Sequence, residues 1–143
     1  MMVSTKGRYA LRVMIDLAEC SREKSITLND IASRQEISEK YLESIISILS
    51  KAGFVIGLRG KGGGYRLSKS PEEYTVGSIL KLTENSMAPV HCLAEHPNHC
   101  PRAKNCKTLP MWENLDRIVD EYLEGVKLSD LTASKSLDEA DKA

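Results

Sequence analysis

Three cysteines and three histidines crowd into one stretch of this chain. Cys92, Cys100 and Cys106 fall in the pattern C-x7-C-x5-C, interleaved with His91, His96 and His99. The start, Met1-Met2-Val3-Ser4-Thr5-Lys6, has no apolar signal-peptide core, so the expected compartment is the cytoplasm, where thiols stay reduced. Reduced, clustered thiols read as metal-binding or catalytic before they read as disulfides. Zinc knuckles pair ligands about two to four residues apart, and these gaps are wider. Three thiolates suit an iron–sulfur cluster that takes its fourth ligand elsewhere, with His91, His96 and His99 as candidates. A histidine in that place raises the potential and makes the cluster titratable. Zinc, or three free thiols in a mobile loop, are the competing readings. The fourth cysteine, Cys20, falls on the apolar stripe of a helix and reads as a small core residue.

A second chemistry is phosphate and base contact. Arg59-Gly60-Lys61-Gly62-Gly63-Gly64-Tyr65 is a basic, glycine-rich run between two β-prone segments, the mark of a hairpin tip. Its glycines let backbone approach a phosphate chain, and Arg59 suits a narrow minor groove. Ser38, Lys40, Tyr41, Glu43 and Ser44 occupy the first turns of a helix whose other face is Leu42/Ile45/Ile46/Leu49. Those turns are what a recognition helix offers the major groove. Ser4, Thr5, Lys6 and Arg8 open the first helix, where backbone N–H groups hold phosphate. The bland alternatives are a protein-docking helix-turn-helix, a merely flexible Gly-Gly-Gly turn, and a Tyr41 that packs against the second helix.

The elements that must position these groups follow from periodicity. A first helix over 5–20 carries Tyr9, Val13, Leu17 and Cys20. Thr27 caps a second over about Leu28–Gln35, Glu36-Ile37 is a tight connection, and Ser38 caps a third that stops at Gly53. The hairpin follows, then a short helix from Val76 to Thr83. Residues 84–109 are aperiodic, which in a compact domain marks a functional or disordered segment. A long helix resumes at Pro110 with Trp112, Leu115, Ile118, Val119, Tyr122, Leu123 and Val126, and Ser129-Asp130-Leu131 adds a turn. The order is that of a mainly α, winged helix-turn-helix DNA-binding domain.

Composition bounds the rest. The 143 residues are 41% hydrophobic and 28% charged with a formal net charge of zero, a globular profile. No apolar run approaches the roughly 18 residues of a membrane span. Neutrality hides an asymmetry: residues 1–66 hold 11 Lys/Arg against 7 Asp/Glu, and residues 67–143 hold 9 against 13. A basic front half is compatible with a phosphate-facing surface. An enzyme is not expected. There is no C-x-x-C, and the glycine tip lacks Walker spacing and leads into a strand.

The sequence closely resembles the IscR-type family of bacterial transcription regulators, which also has nitric-oxide-, cysteine-metabolism- and iron-responsive members. The resemblance covers about residues 1–131. It rests on Ser4-Thr5-Lys6-Gly7-Arg8-Tyr9-Ala10, Ile37-Ser38-x-x-Tyr41-Leu42-Glu43, Arg59-Gly60-x-Gly62-Gly63-Gly64-Tyr65, and the three-cysteine stretch followed by Trp112. It implies a winged head over 1–83, a cluster-binding loop over 84–109 and a long dimerisation helix over 110–131. A tail over 132–143 is expected to be disordered. It implies a homodimer on double-stranded DNA with a pseudo-palindromic operator. It also implies a [2Fe–2S] cluster, with [4Fe–4S] the alternative, delivered by cluster-assembly machinery. Its DNA contacts fall on Ser38, Lys40, Tyr41, Glu43, Ser44 and Arg59, with Glu43 at a position linked to operator discrimination. The expected function is a DNA-binding regulator that senses cluster status and controls cluster-biogenesis genes. The alternatives are a nitric-oxide- or iron-responsive repressor and, more distantly, a redox enzyme or zinc scaffold. Two departures stand out. The family's usual fourth ligand, a histidine, falls here on Leu109, which cannot ligate, and the acidic residue that some nitric-oxide sensors carry near position 8 is replaced by Arg8.

Overall fold

The computed structural model describes residues 3–132. The order is α1 (Thr5–Glu19), α2 (Leu28–Gln35), α3 (Glu39–Lys51), β1 (Val55–Leu58), β2 (Gly64–Leu67), α4 (Val76–Thr83) and α5 (Leu109–Gly125). Short 3₁₀ turns lie at Pro71–Glu73, His91–Leu93, Ala103–Asn105 and Leu128–Leu131. The expected tail lies, beyond Thr132, outside the described residues.

The head forms where polar caps start helices and apolar stripes face inward. Ser4, Thr27, Ser38 and Thr75 each accept a backbone N–H at the start of α1, α2, α3 and α4, supplying partners the first turn otherwise lacks. Ala10, Val13, Met14 and Leu17 of α1 pack with Ile31 of α2 and Leu42, Ile45, Ile46 and Leu49 of α3 in one buried cluster. The turn between α2 and α3 is made by Glu36 in the left-handed region, φ 55°. Its brevity fixes α3 across α2 as a helix-turn-helix.

β1 and β2 pair antiparallel with Val55 opposite Leu67 and Gly57 opposite Tyr65. Tyr65 also exchanges both backbone hydrogen bonds with Ile26, each 2.8 Å, so the wing is tied to the residue just before the cap of α2. Gly64 permits this approach: an added Cβ would lie 2.6 Å from Ile26 C. Tyr74 closes the wing base. It is buried, its hydroxyl donates to Phe54 O at 2.8 Å, and it accepts from Lys69 N–H at 2.9 Å.

Two expectations change. Cys20 is not core but the half-buried C-cap of α1, because the helix ends one residue earlier than its stripe suggests. The long helix begins at Leu109, with Pro110 inside its first turn. No residue of α5 is buried. Beyond α5 the chain returns to the head: Val76 N–H donates to Val126 O (2.8 Å), Leu128 N–H to Tyr74 O (3.0 Å), and Leu128 is fully buried.

Candidate nucleic-acid interface and cysteine pocket

On α3 the side chains of Lys40, Glu43 and Ser44 are exposed while Leu42, Ile45 and Ile46 are buried. The first turns therefore present polar groups outward, as a groove-reading helix requires. Ser38 is committed to its cap, accepting from Tyr41 N–H at 3.1 Å, and Ser44 Oγ donates back to Tyr41 O at 2.6 Å. Tyr41 is half-buried. It packs edge-on to Tyr9 of α1 at 5.8 Å between centroids and against the buried cluster that includes Ile31 and Ala32 of α2.

Tyr9 belongs to a lock that sequence reasoning missed. The Arg12 guanidinium lies 4.7 Å over its ring and donates to Gln35 Oε1 (3.0 Å) and Gln35 O (2.6 Å). One turn on, the buried Asp16 carboxylate accepts from Arg34 Nε (3.0 Å), Arg34 Nη2 (2.7 Å) and Gln35 Nε2 (2.8 Å). A buried carboxylate must be paired, and here the pairing fixes α2 against α1 and so aims α3. The hydrogen bond to Asp16 raises the Arg34 pKa further. The available signal was an acid inside the apolar run Val13–Leu17.

The wing tip carries exposed Arg59 and Lys61, with exposed Gly62 at φ 79°. Gly63 and Tyr65 are half-buried. Between the wing and the start of α2 runs an open groove of about 450 Å³, lined by residues that include Thr27, Leu28, Arg59, Gly63 and Tyr65. At the start of α1, Thr5 and Arg8 are exposed. Ser4 is engaged internally: its hydroxyl accepts from Gly7 N–H (3.0 Å) and donates to Glu84 Oε1 (2.6 Å), and its N–H donates to the same oxygen (2.9 Å).

The cysteine stretch is less assembled. His91, Cys92, Glu95, His99, Cys100 and Pro101 line one cavity of about 390 Å³. His96 and Cys106 are not among its lining residues. Cys106 sits at the approach to α5, with Sγ 3.4 Å from Thr108 Oγ1. Hydrogen bonding from the Thr108 side chain, then from its backbone, holds the Cys106 thiol below its ordinary range, which favours the metal-binding thiolate. Burial pushes the Cys20 thiol the other way. Among the described residues no three His, Cys, Asp or Glu side chains converge tightly enough to hold a metal ion. Leu109, in the family's usual histidine place, is the first residue of α5.

An exposed reading helix braced by a helix-turn-helix lock, beside a basic glycine wing, defines a winged-helix DNA-binding regulator. The family model described as "Rrf2: Iron-dependent Transcriptional regulator" matches residues 3–134, and the chain belongs to this Rrf2 family. It is 37% identical over 131 residues to the HTH-type transcriptional regulator IscR of Aliivibrio salmonicida, covering 92% of this chain and 77% of that one. It is 37% identical over 137 residues to protein rrf2 of Nitratidesulfovibrio vulgaris, covering 96% and 91%. Among solved structures it resembles CymR, the global cysteine regulator of B. subtilis, at TM-score 0.76, 35% identity and 95% and 99% coverage. It resembles T. potens IscR at TM-score 0.72, 34% identity and 99% and 90% coverage. No helix among the described residues is long and apolar enough to cross a membrane.

Proposed function

We propose that this Rrf2-family transcriptional regulator works as an IscR-like sensor, with a cytoplasmic iron–sulfur cluster setting its hold on DNA. The observation that carries this reading is the cavity shared by Cys92 and Cys100. Cys92 and Cys100 both line it, with His91, Glu95 and His99, ahead of the helix that leads back to the head. Cys92, Cys100 and Cys106 would hold the cluster, for which [2Fe–2S] is the smaller fit and [4Fe–4S] the alternative. The cluster supplies a redox- and nitric-oxide-sensitive iron centre whose gain or loss the chain can register.

This chain's own residues do the rest. Lys40, Glu43, Ser44 and the ring edge of Tyr41 read base edges. Arg59, Lys61 and the backbone of Gly62 and Gly63 grip phosphates, with Tyr65 seating the wing. Thr5 and Arg8 contact the backbone from α1. The uncovered α5 face, Met111/Leu115/Ile118/Tyr122, takes a second copy. A dimer presents two α3 helices, which must meet half-sites about 34–36 Å apart on a pseudo-palindromic operator. The regulated genes on this reading are those of cluster biogenesis.

The iron dependence that names the matching family model favours iron supply as the competing signal. Anaerobic purification with iron and sulfide analysis, followed by selection of bound DNA from a random pool, tests both. Equal iron and sulfide, and at least a tenfold affinity difference between cluster-loaded and cluster-free protein on a selected palindrome, support cluster sensing. Iron without sulfide, or equal affinity in both states on every selected site, overturns it. Loss of affinity only after nitric oxide treatment reassigns the signal.

A further inference from the structure

The start of α1 is held from across the fold. Ser4 N–H and Ser4 Oγ both donate to Glu84 Oε1, at 2.9 and 2.6 Å. Glu84 stands 80 residues further on. It is the C-cap of α4, and its own N–H donates to Leu80 O at 2.9 Å. Its carboxylate therefore hangs from the end of a helix whose Ile79 and Leu80 are buried. The fit is close. Gly7, buried in the first turn of α1, has no room for a side chain: an added Cβ would run into Glu84 Oε1 and lie 3.1 Å from Thr83 Oγ1. Val3, just before the cap, packs on the cluster of Val76, Leu80 and Val126.

This bears on DNA contact, and it rests on the reading above that α1 meets the phosphate backbone. A helix N-terminus attracts phosphate through its free N–H groups. Here the Ser4 N–H is taken by Glu84 and the Gly7 N–H by Ser4 Oγ at 3.0 Å, and a carboxylate already occupies the positive end of the helix. Backbone contact from α1 therefore falls to the exposed side chains of Thr5 and Arg8. The next residue, Tyr9, meets Tyr41 of the reading helix edge-on, so the set of this first turn also bears on α3. We propose that Glu84 is a positioning residue for DNA binding: its carboxylate oxygen fixes the first turn of α1, and with it the direction from which Arg8 meets phosphate. Charge and position act in opposite directions here. A carboxylate near a phosphate chain repels it, so by charge alone removing Glu84 would tighten binding. A loss of affinity on its removal comes through geometry.

The test uses the full chain and the palindrome selected from the random pool, with fluorescence anisotropy over a salt series. The proteins are wild type, Glu84→Ala, Glu84→Gln, Gly7→Ala, Arg8→Ala and the double variant Glu84→Ala/Arg8→Ala. Thermal unfolding by circular dichroism sets a temperature at which each is folded. Glu84→Ala should bind about tenfold more weakly and lower the salt slope by about 1, the scale of one lost phosphate contact. Gly7→Ala should do the same without altering Glu84 itself, although alanine favours the helix, and it carries the test should Glu84→Ala fail to fold. Glu84→Gln keeps an acceptor oxygen and should recover wild-type affinity or exceed it. Arg8→Ala should cost about tenfold alone and little more once Glu84 is gone, since residues acting as a unit are not additive. Wild-type or tighter binding by folded Glu84→Ala and Gly7→Ala overturns the proposal and leaves Glu84 a stabilising cap. A double variant whose two losses multiply overturns it as well. Arg8→Ala with unchanged affinity and slope overturns the contact from α1, and the proposal with it.

Discussion

α3 and α5 both carry an apolar stripe at helical spacing, yet one is covered and the other is not. In α3 Leu42, Ile45 and Leu49 are wholly buried and Ile46 is 2% exposed; in α5 Leu115, Met111, Ile118 and Tyr122 are 36%, 52%, 54% and 61% exposed. Helix formation is the same physics in both. The difference is that α1, α2 and the wing close over α3, while α5 packs along one side against α4. Large apolar side chains left uncovered in a row mark an interaction surface. The head is completed within one chain; the back leaves an apolar face uncovered, which on the proposed reading a second copy covers.

Two isoleucines put the contrast at its sharpest. Ile45→Ala should lower the unfolding free energy by roughly 2–5 kcal/mol, the usual cost of a core cavity, and by the same amount at every protein concentration in urea denaturation. Ile118→Asp should act through association. Dimerisation makes stability concentration-dependent, so this variant should lose that dependence and sediment at monomer mass. A dimer that survives Ile118→Asp breaks the comparison.

Within the head, Asp16→Ala should come next. Removing one partner of a buried pair costs up to about 3–5 kcal/mol. Here the side chain of Arg34 is 46% exposed and can turn to water, so about 2 kcal/mol is expected. Thermal unfolding measures it. DNA affinity of the still-folded protein should fall too, because the lock aims α3. Affinity unchanged in the folded fraction would make Asp16 a stability residue only.

The same removal of charge should count differently in the two regions. Arg59→Ala on the wing should weaken DNA binding about tenfold and reduce the slope of log affinity against log salt by about 1. Arg117→Ala on α5, where Arg117 pairs with Glu121 at 3.2 Å, should leave both unchanged. Fluorescence anisotropy across a salt series reads the two together. Equal effects would place DNA on the back of the molecule as well.

How much of this was legible in the residues divides along the same line. The head was, because its determinants are local. Ser38 three residues before Tyr41, the 42/45/46/49 stripe and a glycine tip between β-prone runs each act within a few residues, and α2, α3 and α4 begin where their caps stand. The helix-turn-helix lock was not. Asp16 and Arg34 are 18 residues apart, and nothing in either neighbourhood names the other. Tyr41's partner on α1 was missed for the same reason. In the back, periodicity found α5 but could not say which of its faces is covered. The return of Leu128 into the head core is a long-range packing event with no local mark.

The smallest predicted effect lies at the joint between the two regions. Glu124 of α5 accepts from Lys81 Nζ at 2.9 Å and Thr75 Oγ1 at 2.8 Å, and Lys81 also reaches Asp120 Oδ1 at 2.7 Å. The hydrogen bond from Lys81, then that from Thr75, holds the Glu124 carboxyl below its ordinary range. Hydrogen bonds to Asp120, then Glu124, raise the Lys81 ammonium. A carboxyl lowered on folding stabilises above its ordinary pKa of about 4.3, and that contribution is lost as pH falls through the lowered value. A raised ammonium stabilises below its ordinary pKa of about 10.4 and is lost as pH rises through the raised value. The joint is therefore whole between about pH 5 and pH 10. These groups are more than a third exposed, so the joint is worth only about 0.5–1 kcal/mol. Unfolding free energies from urea titration for wild type and Glu124→Gln should differ by that amount at pH 7, and the gap should close as pH falls through the lowered carboxyl value. A gap that persists at low pH has another cause. Glu124 also lies close over Gly77, where an added Cβ would sit 2.8 Å from Glu124 Cδ. Glu124→Gln keeps that packing, so the gap reads the charge alone.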